Sequence, residues 1–199
     1  MLISLTHKFI FVANLKSAST AIESAIGDKA EVRLSATKFG KHDGLTALLN
    51  KFGWIKRYVP YEEFLVFGVV RDPVDFLLSL YNSHQKPAFD GKPSSTKGMS
   101  FDDFLGPWCA RSWQARPQSK RFEDEQGRLR MGHLMDLASI ADEFPEICKR
   151  LGLGEVELGR KNESPEVLTR NDLTAAQIER VQSAYQKDYA LIRDRPRFR

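Results

Sequence analysis

Apolar residues fall along this chain in two kinds of block, short continuous runs and longer stretches with helical spacing. Residues 8–13 form a short apolar and aromatic run, which predicts a buried strand. The stretch after it places Ala21, Ile22, Ala25 and Ile26 on one helical face, and Gly27 follows as a stop. Residues 45–52 predict another helix. Residues 64–70, "FLVFGVV", are apolar throughout and rich in β-branched and aromatic side chains. Such runs belong to strands buried on both faces, as in parallel sheets. Asp72 then stands as a helix cap, with Pro73 at the first position, where a missing N–H costs nothing. That helix is predicted to reach about residue 82.

The second half is less regular. Residues 83–100, rich in Lys, Pro, Ser and Gly, predict a mobile surface loop. Ser100 and Asp103 resemble a capping box for a short helix holding Phe101 and Phe104. Residues 106–128 are polar and basic, with Trp108 and Trp113. Residues 137–151 predict an amphipathic helix ended by Gly152. Thr174 and Gln177 form a second capping box, and Ile178, Val181, Tyr185, Tyr189 and Ile192 follow on roughly one face. No internal repeat is visible. Two strand-then-helix units with helices between them predict an α/β fold around a parallel sheet.

Composition narrows the classes. The 199 residues suit one domain, 1–199, and 42% hydrophobic content suffices for a core. No window is apolar and long enough to span a bilayer. The first residues lack the basic leader of a signal peptide, which predicts a cytoplasmic protein with reduced thiols at Cys109 and Cys148. The net charge of +4 favours anionic ligands mildly and is too small to argue for nucleic acid. No metal motif is present. The tail, residues 193–199, holds four arginines. It reads as a solvated end or, more sharply, as a peripheral contact to an anionic glycan or lipid headgroup.

Two arrangements carry chemistry. After Asn14 the first strand gives way to "LKSAST" and a helix. A helix start offers unpaired N–H groups and the positive end of the dipole. Small residues at Ser17, Ala18 and Ser19 let an anion approach, the Ser19 and Thr20 hydroxyls add donors, and Lys16 adds a full charge. This outlines a phosphate- or sulfate-binding loop without the glycines of a Walker A loop. A capped helix with a solvated lysine fits the same residues. In the second arrangement Arg71 leaves the end of the second strand, where ligands of open α/β sheets sit. Lys16 and Arg71 are therefore predicted to face one crevice. Ser79, eight residues on, joins Arg71 in offering donors to a phosphate. The plainer reading pairs Arg71 with Asp72 or Asp75.

Together these motifs resemble a known family. "FVANLKSAST" is similar to the 5′-phosphosulfate-binding loop of sulfotransferases, and "VVRDPVDFLLSLY" to their 3′-phosphate-binding motif, Arg-(Asp/Asn)-Pro followed by Ser-x-Tyr. "KFGKHDGLTALL" is similar to the Lys-His element of the carbohydrate-type branch, and the blocks around "FDDFL", "MGHLMDLASIADEFPEICKRLGL" and "KNESPEVLTRNDLTAAQIERVQSAYQKDYALI" follow in its order. The likeness covers roughly residues 8–192. Leu15 stands where the family usually has Pro, and Phe76 where the branch often has a polar residue.

The resemblance implies a P-loop-like central parallel sheet flanked by helices. It implies sulfuryl transfer from 3′-phosphoadenosine 5′-phosphosulfate (PAPS) to a hydroxyl or amine, most readily of a carbohydrate, glycolipid or small molecule, with no metal and with adenosine 3′,5′-bisphosphate as product. Lys16, with Ser17, Ala18, Ser19 and Thr20, is expected to hold the 5′ group, and Arg71 with Ser79 the 3′-phosphate. Lys16 is also expected to offset charge on the leaving oxygen. His42 is the expected base for the acceptor's proton, with Glu23 and His84 as alternatives. Lys41 and Trp113 are expected to touch the acceptor; Trp108, Asn162 and Ser164 are weaker candidates for the cleft. An ATP-dependent kinase and a non-catalytic nucleotide-binding module are the competing readings.

Overall fold

A computed structural model describes residues 1–159 and 165–198. Its regular elements are β1 (Leu2–Ser4), β2 (Phe9–Val12), α1 (Ser19–Ile26), β3 (Val32–Arg33), α2 (Leu45–Lys51), β4 (Leu65–Val70), α3 (Pro73–Ser83), α4 (Phe101–Asp103), α5 (Cys109–Arg111), β5 (His133–Asp136), α6 (Ile140–Arg150), α7 (Ala175–Ala184) and α8 (Gln186–Arg193). A π-helical stretch, Phe104–Trp108, joins α4 to α5. No helix among the described residues is long and apolar enough to cross a membrane.

The strands form one five-stranded sheet in the order β3-β1-β2-β4-β5, flanked by helices. The sheet is mixed rather than wholly parallel. β2, β4 and β5 run parallel, while β1 pairs antiparallel with both β2 and β3. A tight turn returns β1 directly into β2, and a connection that short permits only an antiparallel pair. The two continuous apolar runs occupy the centre, with β4 between β2 and β5. Phe67 packs its ring against Phe9 at 5.9 Å and Phe11 at 5.3 Å between centroids, so aromatic contacts tie the two central strands.

Gly68 is required where it stands. A Cβ there would lie 2.7 Å from Cε1 of Phe122 and 3.2 Å from the Val12 carbonyl oxygen. The fully buried Phe122 ring thus rests on β4 and anchors the segment Gln118–Arg121 beside the sheet.

A second apolar cluster joins α3, Phe101, Phe104 and Trp108 to Val181 and Tyr185. Leu15 and Phe76, which depart from the family pattern, are both buried in it. The predicted caps form: Asp72 accepts from the Val74 and Asp75 amides, Ser100 from Asp103, and Thr174 and Gln177 make a reciprocal box. The predicted last helix breaks at Tyr185 into α7 and α8, and Ile192 packs on the sheet cluster instead.

Segment 83–100 carries little regular structure, and Thr96 within it is fully buried. Its hydroxyl donates to the Tyr81 carbonyl at 2.7 Å. The basic tail also engages the fold. The Leu134 amide donates to Pro196, Arg195 pairs with Glu143 at 3.1 Å, and the Phe198 ring lies 4.3 Å from that of His133. Those contacts cover the outer edge of β5, which would otherwise expose unpaired backbone groups.

Candidate active site

The candidate site lies where β2 and β4 end. These strands are adjacent and parallel, with Val12 opposite Gly68, so the loops that leave them emerge side by side. Between Asn14 and α1 the backbone turns sharply. Lys16 and Ala18 both adopt left-handed conformations, with φ of 56° and 55°. For residues with a Cβ this costs on the order of 1–2 kcal/mol each, a strain typical of ligand-binding loops. Ala18 caps α1 without any side-chain hydrogen bond to its first amides. Serine or threonine at that position would occupy those donors; alanine leaves them to solvent or to an anion.

The Arg71 guanidinium donates from Nη1 to the Lys16 carbonyl at 3.1 Å, so the two predicted motifs meet. Arg71 makes no ion pair with Asp72 or Asp75 among the described residues. Both carboxylates accept instead from Arg170, at 3.0 Å and 3.2 Å. Burial lowers the Arg71 pKa, and the charges of Asp75 and Asp72 oppose that. Burial is also the main reason that the Lys16 ammonium is held down to about 8, with repulsion from Lys86 and Arg71 adding to it. A cluster of cations with this mutual repulsion suits an anion. Ser79 is half-buried on α3.

The other predicted loop residues divide by role. The Ser17 hydroxyl faces inward, donating to the Leu15 carbonyl at 3.0 Å and lying 3.1 Å from Asn14 Nδ2. Ser19 is buried at the start of α1. The Thr20 hydroxyl accepts from Lys41 at 3.3 Å. Lys41 also pairs with the buried Glu23 at 2.8 Å, and the other Glu23 oxygen meets the Met1 amine. The Lys41 ammonium therefore braces α1, and Glu23 is sealed in ion pairs.

His42 stands on the other side of the loop. Its Nδ1 lies 3.2 Å from the Ala13 carbonyl, which only accepts, so Nδ1 carries the hydrogen and Nε2 the lone pair. Burial pushes its pKa down to about 4, and the charges of Lys41 and Arg121 add to this. Arg121 donates to the His42 carbonyl and lies 5.4 Å from the ring centroid of Trp113, which is 41% exposed. Arg121 thus links His42 to Trp113. Trp108 is core instead, with its ring 4.9 Å from Phe104. His84 is buried between Phe89 and Trp108, its Nδ1 2.9 Å from the Leu80 carbonyl. Asn162 and Ser164 lie outside the described residues.

Sequence reasoning missed Arg121, Arg170, Gln118 and Asp188. Each acts through a partner far along the chain, and no local pattern marks such a residue. A cleft of about 450 Å³ opens at the opposite end of the sheet, between Thr6–Lys8, Glu62–Leu65 and Arg150, away from both motifs.

No curated protein matches the chain. The sequence pattern of the sulfotransferase family matches residues 1–192, nearly the whole length, both of these loops included. A chain with those loops side by side and that match belongs to the sulfotransferase family, the transferases that move sulfuryl groups.

Proposed function

We propose that this protein transfers a sulfuryl group from PAPS to a hydroxyl or amine, and that the acceptor is a carbohydrate or glycolipid. The observation that carries the proposal is the 3.1 Å contact from Arg71 to the Lys16 carbonyl, which joins two cationic loops at the ends of two neighbouring inner strands. The donor presents one anion at each end of its ribose and supplies a sulfuryl group on a good leaving phosphate. The residues fit it. The uncapped α1 amides and the left-handed loop receive the 5′ group, in the manner of a P-loop with Lys16 and Ala18 in place of glycines. Arg71 and Ser79 receive the 3′-phosphate. Lys16 stabilises the charge that develops on the leaving oxygen.

His42 takes the acceptor's proton on Nε2, since Nδ1–H is fixed on Ala13. Its low pKa describes the protein alone. Negative charge brought beside it favours the protonated form and raises its basicity. Lys41 orients Thr20, and the exposed face of Trp113 offers a platform to a sugar ring.

The test is sulfuryl transfer from PAPS to a panel of glycans, glycolipids and small alcohols, followed by mass, beside thermal shifts with adenosine 3′,5′-bisphosphate and with ATP and Mg²⁺. The account expects a sulfated acceptor and stabilisation by the bisphosphate. Stabilisation by ATP and Mg²⁺ alone would point to a kinase. Tight bisphosphate binding with no acceptor sulfated would point to a non-catalytic module.

A further inference from the structure

Gln118 belongs to neither anion-facing loop, yet its carboxamide is bonded to both. Oε1 accepts from Asn14 Nδ2 at 2.7 Å and from the Arg71 amide at 3.1 Å. Nε2 donates to the Arg71 carbonyl at 2.7 Å. The bonds on Arg71 are to its main chain, so they pin the backbone and leave the guanidinium to its own task. The two hydrogens of Asn14 Nδ2 serve Gln118 and the Val69 carbonyl at 3.1 Å, and the same nitrogen lies 3.1 Å from Ser17 Oγ. Gln118 is itself held from behind. The buried Asp188 on α8 accepts from the Gln118 amide at 2.7 Å and from the Ser119 amide at 2.9 Å.

The placement has a mechanical meaning. Ladder pairing between β2 and β4 ends at Val12 and Gly68, before either loop begins. Beyond that point the two loops need another rung to keep their spacing, and the strained backbone at Lys16 and Ala18 makes the need greater. Asn14 on Val69 and the Arg71 guanidinium on Lys16 give one direct bond each, and Gln118 adds the rung that ties Asn14 to the Arg71 main chain at both its amide and its carbonyl. Asn14, Gln118 and Asp188 are all about 1% exposed, so water does not compete for these bonds.

We infer that Gln118 is a positioning residue that sets the distance between the 5′ and 3′ anion sites, with Asp188 holding it in place. The inference rests on the donor reading above. Gln118 acts through Asn14 and the Arg71 backbone. A ligand with one phosphate uses one loop and is indifferent to the spacing. A ligand with both phosphates needs the two loops in register, and it alone loses when the rung is removed.

Isothermal titration decides the matter, with adenosine 3′,5′-bisphosphate, adenosine 5′-monophosphate and adenosine 3′-monophosphate titrated into wild type, Gln118→Ala and Asp188→Asn. Gln118→Ala is expected to weaken the bisphosphate by about 10-fold or more, the scale of one lost hydrogen bond, and each monophosphate by less than about twofold. Asp188→Asn keeps one acceptor and is expected to show the same selective loss at smaller size. It also decides the matter if Gln118→Ala does not fold. Equal losses for all three ligands would make Gln118 a merely structural residue and overturn the inference. An unchanged preference for the bisphosphate in both variants would overturn it while leaving the donor reading intact. A wild-type protein with no such preference would overturn the donor reading, and this inference with it.

Discussion

Lys16 is a cation kept among cations, and its depressed pKa makes a pH prediction with a definite sign. Below about 8 the ammonium is already charged in the protein alone. Above that value an arriving anion must bring a proton with it, so affinity for adenosine 3′,5′-bisphosphate should fall as pH rises from 7 to 9, by up to about tenfold per pH unit. Lys16→Arg, which stays charged, should flatten the curve in the same titrations; a wild-type curve that is already flat would remove Lys16 from the site. Lys16→Ala should lower turnover by on the order of 10²-fold, with a smaller loss of cofactor affinity, since its proposed role is to offset charge that develops during transfer. His42 carries a second sign. Its pKa falls from 6.5 to about 4 on folding, mainly through burial. The unfolded chain therefore takes up a proton first as pH drops. Stability due to neutral His42 is complete above pH 6.5 and lost as pH falls toward 4. Urea unfolding of His42→Asn should show a shallower acid limb than wild type, and turnover should fall by roughly 10²–10⁴-fold with bisphosphate binding kept.

At the scale of elements, the start of α3 shows how a distant arginine frees the residue that follows a strand. Asp72 caps the helix and Asp75 lies in its first turn, and both would draw in the Arg71 guanidinium were they not paired with Arg170. Arg170→Ala should thus weaken bisphosphate binding several-fold, although Arg170 sits outside both motifs. Calorimetry showing no change would mean that Arg71 does not respond to these carboxylates. The loop before α1 gives a stability prediction. Ala18 in a left-handed conformation is strained, and glycine there is not. Ala18→Gly should be neutral or stabilising by up to about 1 kcal/mol, against the usual cost of a new glycine. Gly68→Ala should do the opposite, because the added methyl meets Phe122 and the Val12 carbonyl. Overpacking of that kind costs about 1–3 kcal/mol, and it would move the segment that holds Gln118.

Across the whole molecule, what was legible was local. The runs at 8–13 and 64–70 read as strands because both faces are buried, and Asp72–Pro73 and Thr174–Gln177 announced their helices because capping is decided within four residues. β1, β3 and β5 were not legible. They have three, two and four residues, and β5 is "HLMD", with polar ends that suit neither period. Their pairing comes from the sheet they join, so the mixed topology could not be read either. The site shows the same division. Lys16 and Arg71 were marked by their place at strand ends, whereas the rung from Asn14 to Gln118 spans 104 positions and leaves no pattern in either neighbourhood. The central claim is that the two loops form one site for a nucleotide with phosphates at both ends of its ribose. Its most direct measurement is isothermal titration of the wild-type protein with adenosine 3′,5′-bisphosphate and with adenosine 5′-monophosphate. The second ligand lacks the group assigned to Arg71 and Ser79, and a charged partner of a buried anion contributes about 2–4 kcal/mol. The bisphosphate should bind at least about 30-fold more tightly; equal affinities for the two ligands would mean that the loops do not form such a site.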